Sequence, residues 1–271
     1  MELPILLVLI AVGCVAGGLA GFFGVGGGIV LVPILLWFYL NTLAVPSQVA
    51  AHLTLGTSLF ITILTSLSSA ARHYQNGHVV LRAALVMGAA SVLAALAGSQ
   101  VAVALPGKVL LRVFAVVLVV MACLLIIDLK PVRKENETAL SSGSLLVIGG
   151  LTGLLSAMTG LGGGVLSVPM MHYTVGFPMK KAVGTSSATI VITAAAAAAG
   201  YVYGGLDHPD LEPYRWFTLG YVDYIHSLPI IAGTLPAAAL GAHLANRTQT
   251  SILRNLFAGL LFAVAIRVFF S

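Results

Sequence analysis

The sequence predicts an all-α polytopic membrane protein, a single transmembrane domain made of two inverted repeats, each a glycine-broken helical hairpin plus three transmembrane helices. Three observations predict it: long stretches without charge, a glycine-broken motif that occurs twice, and a lopsided distribution of basic residues. Of the 271 residues, 59% are hydrophobic and 8% charged, at a mean hydropathy of +1.06. Asp, Glu, Lys and Arg are absent from 3–71, 83–107, 138–179, 182–206 and 224–246, and no soluble core hides apolar runs of that length. A cytosolic enzyme and a disordered regulator are thereby excluded. So is a nucleic-acid binder, because the pI of 9.4 comes from 13 Lys and Arg spread over short loops rather than gathered in a patch.

A bilayer core takes about 20 apolar residues per helix, and on that measure spans are predicted at 3–23, 49–71, 83–105, 109–127, 143–160, 182–203, 220–245 and 252–270. The first lacks a basic leader region and runs without charge into a glycine cluster, so it reads as a retained helix. Two more apolar segments, Ile29 to Leu40 and Val165 to Gly176, are too short to cross alone; each follows a glycine cluster and ends before Pro46 or Pro178. Cys14 and Cys123 lie inside apolar segments and are expected to be buried structural thiols.

The repeat is read from matching residues. Gly24-Val25-Gly26-Gly27-Gly28, leading to Pro33, returns 136 residues on as Gly160-Leu161-Gly162-Gly163-Gly164, leading to Pro169. Gly56-Thr57-Ser58 returns as Gly184-Thr185-Ser186, and Gly98-Ser99-Gln100 is followed in the same order by Gly241-Ala242-His243. Each copy thus holds a long segment, a glycine break, a short segment and three more long segments. Repeat one covers 1–127, the polar stretch 128–142 links the copies, and repeat two covers 143–271.

Basic residues give the orientation. With the N-terminus on one side, Arg72, Arg82, Lys130, Arg133, Lys134, Lys180, Lys181, Arg247 and Arg254 fall on the other, leaving Lys108, Arg112, Arg215 and Arg267. Nine against four makes the richer side cytoplasmic. A glycine-broken hairpin plus three crossings is an odd number of passes, so the second copy enters the membrane upside down. Both termini are therefore expected outside the cytoplasm of a multi-pass inner-membrane protein, with 128–142 inside. A cytoplasm-only reporter fused after Ser271 should be silent and one fused within 128–142 active; the reverse pattern would overturn the inverted arrangement.

Unwound backbone at membrane depth survives only where it is packed in protein or lines a polar cavity. Gly26, Gly27, Gly28, Gly162, Gly163 and Gly164 open two new helices whose first amides carry partial positive charge, a favourable place for an anion. Thr57, Ser58, Thr185 and Ser186 add neutral hydroxyl donors, which hold an anion without the grip of an ion pair. The competing expectation is that each hydroxyl bonds a carbonyl in its own helix. For Gly13 and Gly17, at four-residue spacing, close helix packing is expected instead.

His52 and Lys180 each stand four residues before a Gly-Thr-Ser, so His52, Lys180 and Lys181 are candidate gates or anion contacts, against a structural hydrogen bond for His52 and snorkelling for the lysines. Asp223 is a carboxylate beside a long apolar run, a candidate for proton coupling or for the start of a helix. Its counterpart by spacing is the apolar Val80. Replacing Gly27 or Gly163 by Leu is expected to block transport while leaving insertion intact. The histidines show no metal-ligand spacing, and no nucleophile, paired-carboxylate or phosphate-loop constellation occurs, so no metal, cofactor or catalytic activity is expected.

The doubled Gly-x-Gly-Gly-Gly with its following proline, and the doubled Gly-Thr-Ser, second time as Lys181-Ala182-Val183-Gly184-Thr185-Ser186, resemble the TauE/SafE sulfite exporter family over nearly the whole chain. That resemblance implies a permease of two related halves that moves sulfite, thiosulfate or an organosulfonate, mostly outward. The chain departs from its own symmetry in having His52 and Leu53 where the second copy has Lys180 and Lys181. A small sulfur-containing anion and the lipid bilayer are its expected partners; an anion channel of the same fold is the alternative, and an intramembrane enzyme the less favoured one.

Overall fold

A computed structural model describes residues 3–126 and 141–248, together with residues 255, 256, 259, 262 and 263. Most of the expected span at 252–270 and nearly all of the linker lie outside them. The described chain runs through α1 (Leu3–Phe23), α2 (Gly28–Asn41), α3 (Ser47–Gln75), α4 (Leu81–Ala104), α5 (Gly107–Ile126), α6 (Ser142–Thr159), α7 (Gly164–Met170), α8 (Met179–Gly205) and α9 (Ser227–Arg247). The protein is polytopic and all-α in its membrane part: α1, α3, α4, α6, α8 and α9 are each long and apolar enough to cross a bilayer. Their outward faces carry exposed Leu7, Val8, Val15, Leu93, Val147 and Leu240, which only lipid can cover without cost.

Cys14 and Cys123 are exposed rather than buried. The correction has a simple cause: in lipid an apolar position need not face the core, so the hydrophobic neighbourhood that hides a thiol in a soluble protein does not do so here.

The helices pack through glycine. α1 lies on α9, where a Cβ added at Gly13 would stand 2.2 Å from the Ile230 carbonyl oxygen and at Gly17 2.5 Å from that of Thr234. α6 lies on α4 in the same way, Gly149 against Met87 and Gly153 against Ser91, at 2.3 and 2.5 Å. Without lipid-excluding hydrophobic gain, close backbone approach is what holds such pairs. The central pair is α3 and α8, which touch each other and carry buried Thr54, Thr57, Ser58, Thr62, Thr65, Ser66 and Ser69 on α3 and Thr185, Ser186, Ser187, Thr189 and Thr193 on α8.

Two elements differ from expectation. The stretch 220–226, read as helix, is a turn: β1 (Thr218–Leu219) pairs antiparallel with β2 (Val222–Asp223) around Gly220 at φ 54°, and α9 starts only at Ser227. Before it, Pro209–Tyr214 forms one short 3-10 helix, with Pro at its start. α7 is shorter than its apolar run, because Pro169 removes an amide and Met171–Val175 continues as a π turn, ending at Gly176 with φ 82°.

Candidate functional site

The two glycine clusters adopt the same backbone. Gly24, Gly26 and Gly27 have φ of 70°, 80° and 86°; Gly160, Gly162 and Gly163 have 70°, 74° and 91°. Left-handed conformations of this kind break a helix and favour glycine. The first of each set closes the preceding helix, Gly24 N–H donating to Ala20 at 2.8 Å and Gly160 N–H to Ser156 at 2.9 Å. Beyond it the backbone turns through residues 25–27 and 161–163 into α2 and α7, whose first-turn amides have no acceptor within their own helix. Two arrays of first-turn amides therefore sit inside the bundle at the starts of α2 and α7.

The arrays meet head on. A Cβ on Gly28 would stand 2.5 Å from the Gly160 oxygen and 2.8 Å from Leu161 Cα; one on Gly164 would stand 2.4 Å from the Gly24 oxygen and 2.5 Å from Val25 Cα. Thr62 completes the junction, its hydroxyl donating to the Gly26 oxygen at 2.8 Å and its methyl filling the space in front of both Gly26 and Gly162. Gly27 and Gly163 face their own hairpins instead, Gly163 so tightly that a Cβ would come 2.4 Å from Thr152 Cγ2. Leucine at either position would meet strained φ and, at 163, a filled neighbourhood, so the expectation that such variants insert normally is withdrawn.

The Gly-Thr-Ser hydroxyls bind across the molecule, not within their own helices. Ser58 donates to the Gly160 oxygen at 2.8 Å, and Ser186 donates to the Gly24 oxygen at 2.9 Å. Because the Ser186 proton is used there, Ser167 on α7 must be the donor in the 2.7 Å contact between the two serines. Thr57 accepts the Asp223 amide at 2.9 Å, and Thr185 accepts the Val80 amide at 3.0 Å. Each cluster is thus clamped by a serine of the other half, and each threonine holds the chain where it enters α9 or α4.

His52 and Lys180 also do matching things. The His52 ring approaches the Ala102 and Leu105 oxygens at 3.3 and 3.0 Å through Nε2, and Gln48 at 3.3 Å through Nδ1. The Lys180 ammonium donates to the Asn246 oxygen. Both reach the carbonyl end of a long helix, α4 or α9, where cations are favoured. For His52 these are structural hydrogen bonds to backbone oxygens. Lys180 and Lys181 face the loop before α4, where burial first and then their charges hold the His78 imidazole below its ordinary range. On the opposite hairpin, burial and then the Asp210 carboxylate push the Tyr221 phenol up to about 12.

A family description, sulfite exporter TauE/SafE, matches residues 9–268 of this sequence. The chain belongs to that family. Among curated relatives, a probable membrane transporter protein of Haemophilus influenzae is 31% identical across 97% of this chain and 98% of its own length. Bacillus subtilis YdhB is 27% identical across 92% and 94%, and a relative from Methanocaldococcus jannaschii 26% across 96% and 93%; both are likewise named probable membrane transporter proteins. No solved structure matches. This TauE/SafE chain is accordingly a membrane transporter.

Sequence reasoning singled out Asp223 but missed its surroundings. Its Oδ1 accepts the His226 amide at 2.8 Å, its Oδ2 lies 2.7 Å from His226 Nδ1, and the Tyr39 hydroxyl donates to Oδ2 at 3.2 Å. The capping of the turn before α9 fits the helix-start role. Tyr39 and His226 lie 184 and 3 residues away, and a tyrosine in an apolar run gave no signal that would have joined it to Asp223. A groove of about 480 Å³ between α1 and α9 is walled by Cys14, Leu19, Phe22 and Leu240; it is lipid-side surface and offers an anion nothing.

Proposed function

We propose that the chain exports a small sulfur-containing anion, sulfite, thiosulfate or an organosulfonate, by alternating access, with the anion held between the two glycine breaks. The observation that carries this reading is the pair of buried helix starts, α2 at Gly28 and α7 at Gly164, that the two glycine breaks bring face to face. Their first-turn amides favour negative charge, Ser58 and Ser186 bond the breaks, and Thr57 and Thr185 are their neighbours in sequence. The sulfur class rests on the family description. Two inverted repeats, 1–127 and 143–271, account for the reciprocal clamps Ser58–Gly160 and Ser186–Gly24 and for the paired thresholds Thr57–Asp223 and Thr185–Val80.

In the described conformation Gly28 and Gly164 press on the opposing backbone, so the breaks must part for an anion to enter. Parting them exposes amides from both halves at once, and the two serine clamps are the bonds that have to open. Two packings of this kind, closed with serine on carbonyl and open with serine on anion, are what an alternating-access cycle needs. The test is efflux from proteoliposomes loaded in turn with sulfite, thiosulfate, isethionate and sulfate. Saturable efflux of one of the first three, accelerated by the same anion outside, is the expected result. Flux that rises linearly without counterflow would make the chain a channel, and no flux of any sulfur anion would remove the substrate assignment.

A further inference from the structure

Asp223 is the buried carboxylate of the described protein: it has no exposed surface, whereas Asp207, Asp210 and Glu212 are exposed. A buried carboxylate has to be explained by its partners. The backbone role at this position does not require it, since Val80 donates its amide to Thr185 just as Asp223 donates its own to Thr57. Capping the His226 amide occupies only Oδ1. Oδ2 is left to His226 Nδ1 at 2.7 Å and to the Tyr39 hydroxyl at 3.2 Å, and the same hydroxyl also lies 3.2 Å from Thr57 Oγ1. An imidazole, a carboxylate, a phenol and the Gly-Thr-Ser threonine therefore form one continuous chain.

The imidazole is the end of that chain open to protons. His226 keeps 6% of its surface exposed, while Asp223, Tyr39 and Thr57 keep none. Its ring is boxed by Phe38 at 5.3 Å, Phe217 at 5.2 Å and Trp216 at 6.5 Å, so no polar wall screens a change of charge. From the other packed elements, the titratable groups near Asp223 are Tyr39 on α2 and, past the Tyr221 ring in the same hairpin, His52 on α3 at 5.1 Å, Tyr201 on α8 at 6.5 Å and His208 at 5.6 Å.

We propose that Asp223 and His226 form a proton-binding site whose occupancy sets the anion affinity of the Gly-Thr-Ser turn on α3. This rests on the anion site proposed above. With the imidazole neutral, Nδ1–H donates to Oδ2 and the pair carries one negative charge. A proton from water adds to Nε2; Nδ1–H stays on Oδ2, no other bond forms or breaks, and the pair becomes neutral. Two effects then reach Thr57. One negative charge disappears beside the place where an anion binds, and the carboxylate's hold on the Tyr39 hydroxyl weakens, which frees that hydroxyl to donate to Thr57 and leaves the Thr57 proton for the anion. Proton and anion therefore bind together, and by linkage each raises the affinity for the other.

Isethionate, whose charge is constant over the range, is titrated into the purified full-length protein by calorimetry from pH 6 to pH 8. Wild-type affinity should fall with rising pH by up to about tenfold per unit, the limit for one linked proton on a histidine. Asp223→Asn, which keeps the Oδ1 cap, and His226→Gln should both flatten that slope, and the second variant serves if the first does not fold. A variant series that keeps the wild-type slope overturns the proposal. If isethionate does not bind at any pH, the anion reading is at fault, and the proton site is then judged without anion: the thermal midpoints of wild type and Asp223→Asn should diverge across the same pH range, and parallel curves overturn it.

Discussion

Gly28→Ala and Gly164→Ala should each destabilise the folded protein strongly. In a helix interior alanine is ordinarily an improvement over glycine, worth up to about 1 kcal/mol. Here the added methyl would stand 2.5 Å from the Gly160 oxygen and 2.8 Å from Leu161 Cα, or 2.4 Å from the Gly24 oxygen and 2.5 Å from Val25 Cα. Those are backbone atoms of the opposing break, held by the Ser58 and Ser186 clamps, so relieving the overlap means giving up those bonds. Overpacking of a tight interior ordinarily costs about 1–3 kcal/mol; with no side chain able to rotate aside, the upper end is expected, a large share of the about 5–15 kcal/mol by which proteins are stable. Gly18→Ala and Gly150→Ala are the controls, because a Cβ there meets nothing within 4 Å. Thermal unfolding of the four purified variants decides it: two strongly lowered midpoints beside two unchanged ones. Equal midpoints across all four would mean that the breaks do not touch.

Thr57→Val should be the more damaging of the two threonine substitutions. The Thr57 hydroxyl oxygen accepts the Asp223 amide at 2.9 Å and lies 3.2 Å from the Tyr39 hydroxyl oxygen, in surroundings with no exposed surface. Valine keeps the shape and leaves the amide without its acceptor, at about 1–3 kcal/mol for a buried unsatisfied group. Thr185→Val strands only the Val80 amide, at a part-buried contact of 3.0 Å, so its loss should be smaller. Thr57→Ser retains the oxygen and should stay near wild type. Unfolding midpoints and efflux rates, measured together, test the order Thr57→Val below Thr185→Val below wild type. Equal losses for the two valine variants would show that the Asp223 threshold carries no more than its Val80 counterpart.

The site was only partly legible in the sequence. Glycine runs in the middle of charge-free segments announce a broken helix, because a three-glycine run is a poor helix interior and lipid leaves no other use for it. The hydroxyls of Gly-Thr-Ser announced polar chemistry without saying with whom. A serine's partner depends on which carbonyl the fold brings to it, and Ser58 found one 102 residues away. His52 and Lys180, read as candidate contacts for an anion, have helix ends as their visible partners.

What the sequence determined by itself was the class. Charge is so costly in hydrocarbon, and apolar surface so costly in water, that the spacing of 21 charged residues along 271 marks the chain as a membrane protein, and the doubled glycine motif carries its resemblance to the TauE/SafE family. What only the tertiary structure decided was every pairing across the bundle: which glycines press on backbone, which hydroxyl clamps which break, that Cys14 faces outward, and that Asp223 sits with Tyr39 and His226. The reason is that burial in lipid is a local property, readable residue by residue, whereas a hydrogen bond needs two groups within about 3 Å, and the sequence orders residues along a line without saying which of them the fold brings together.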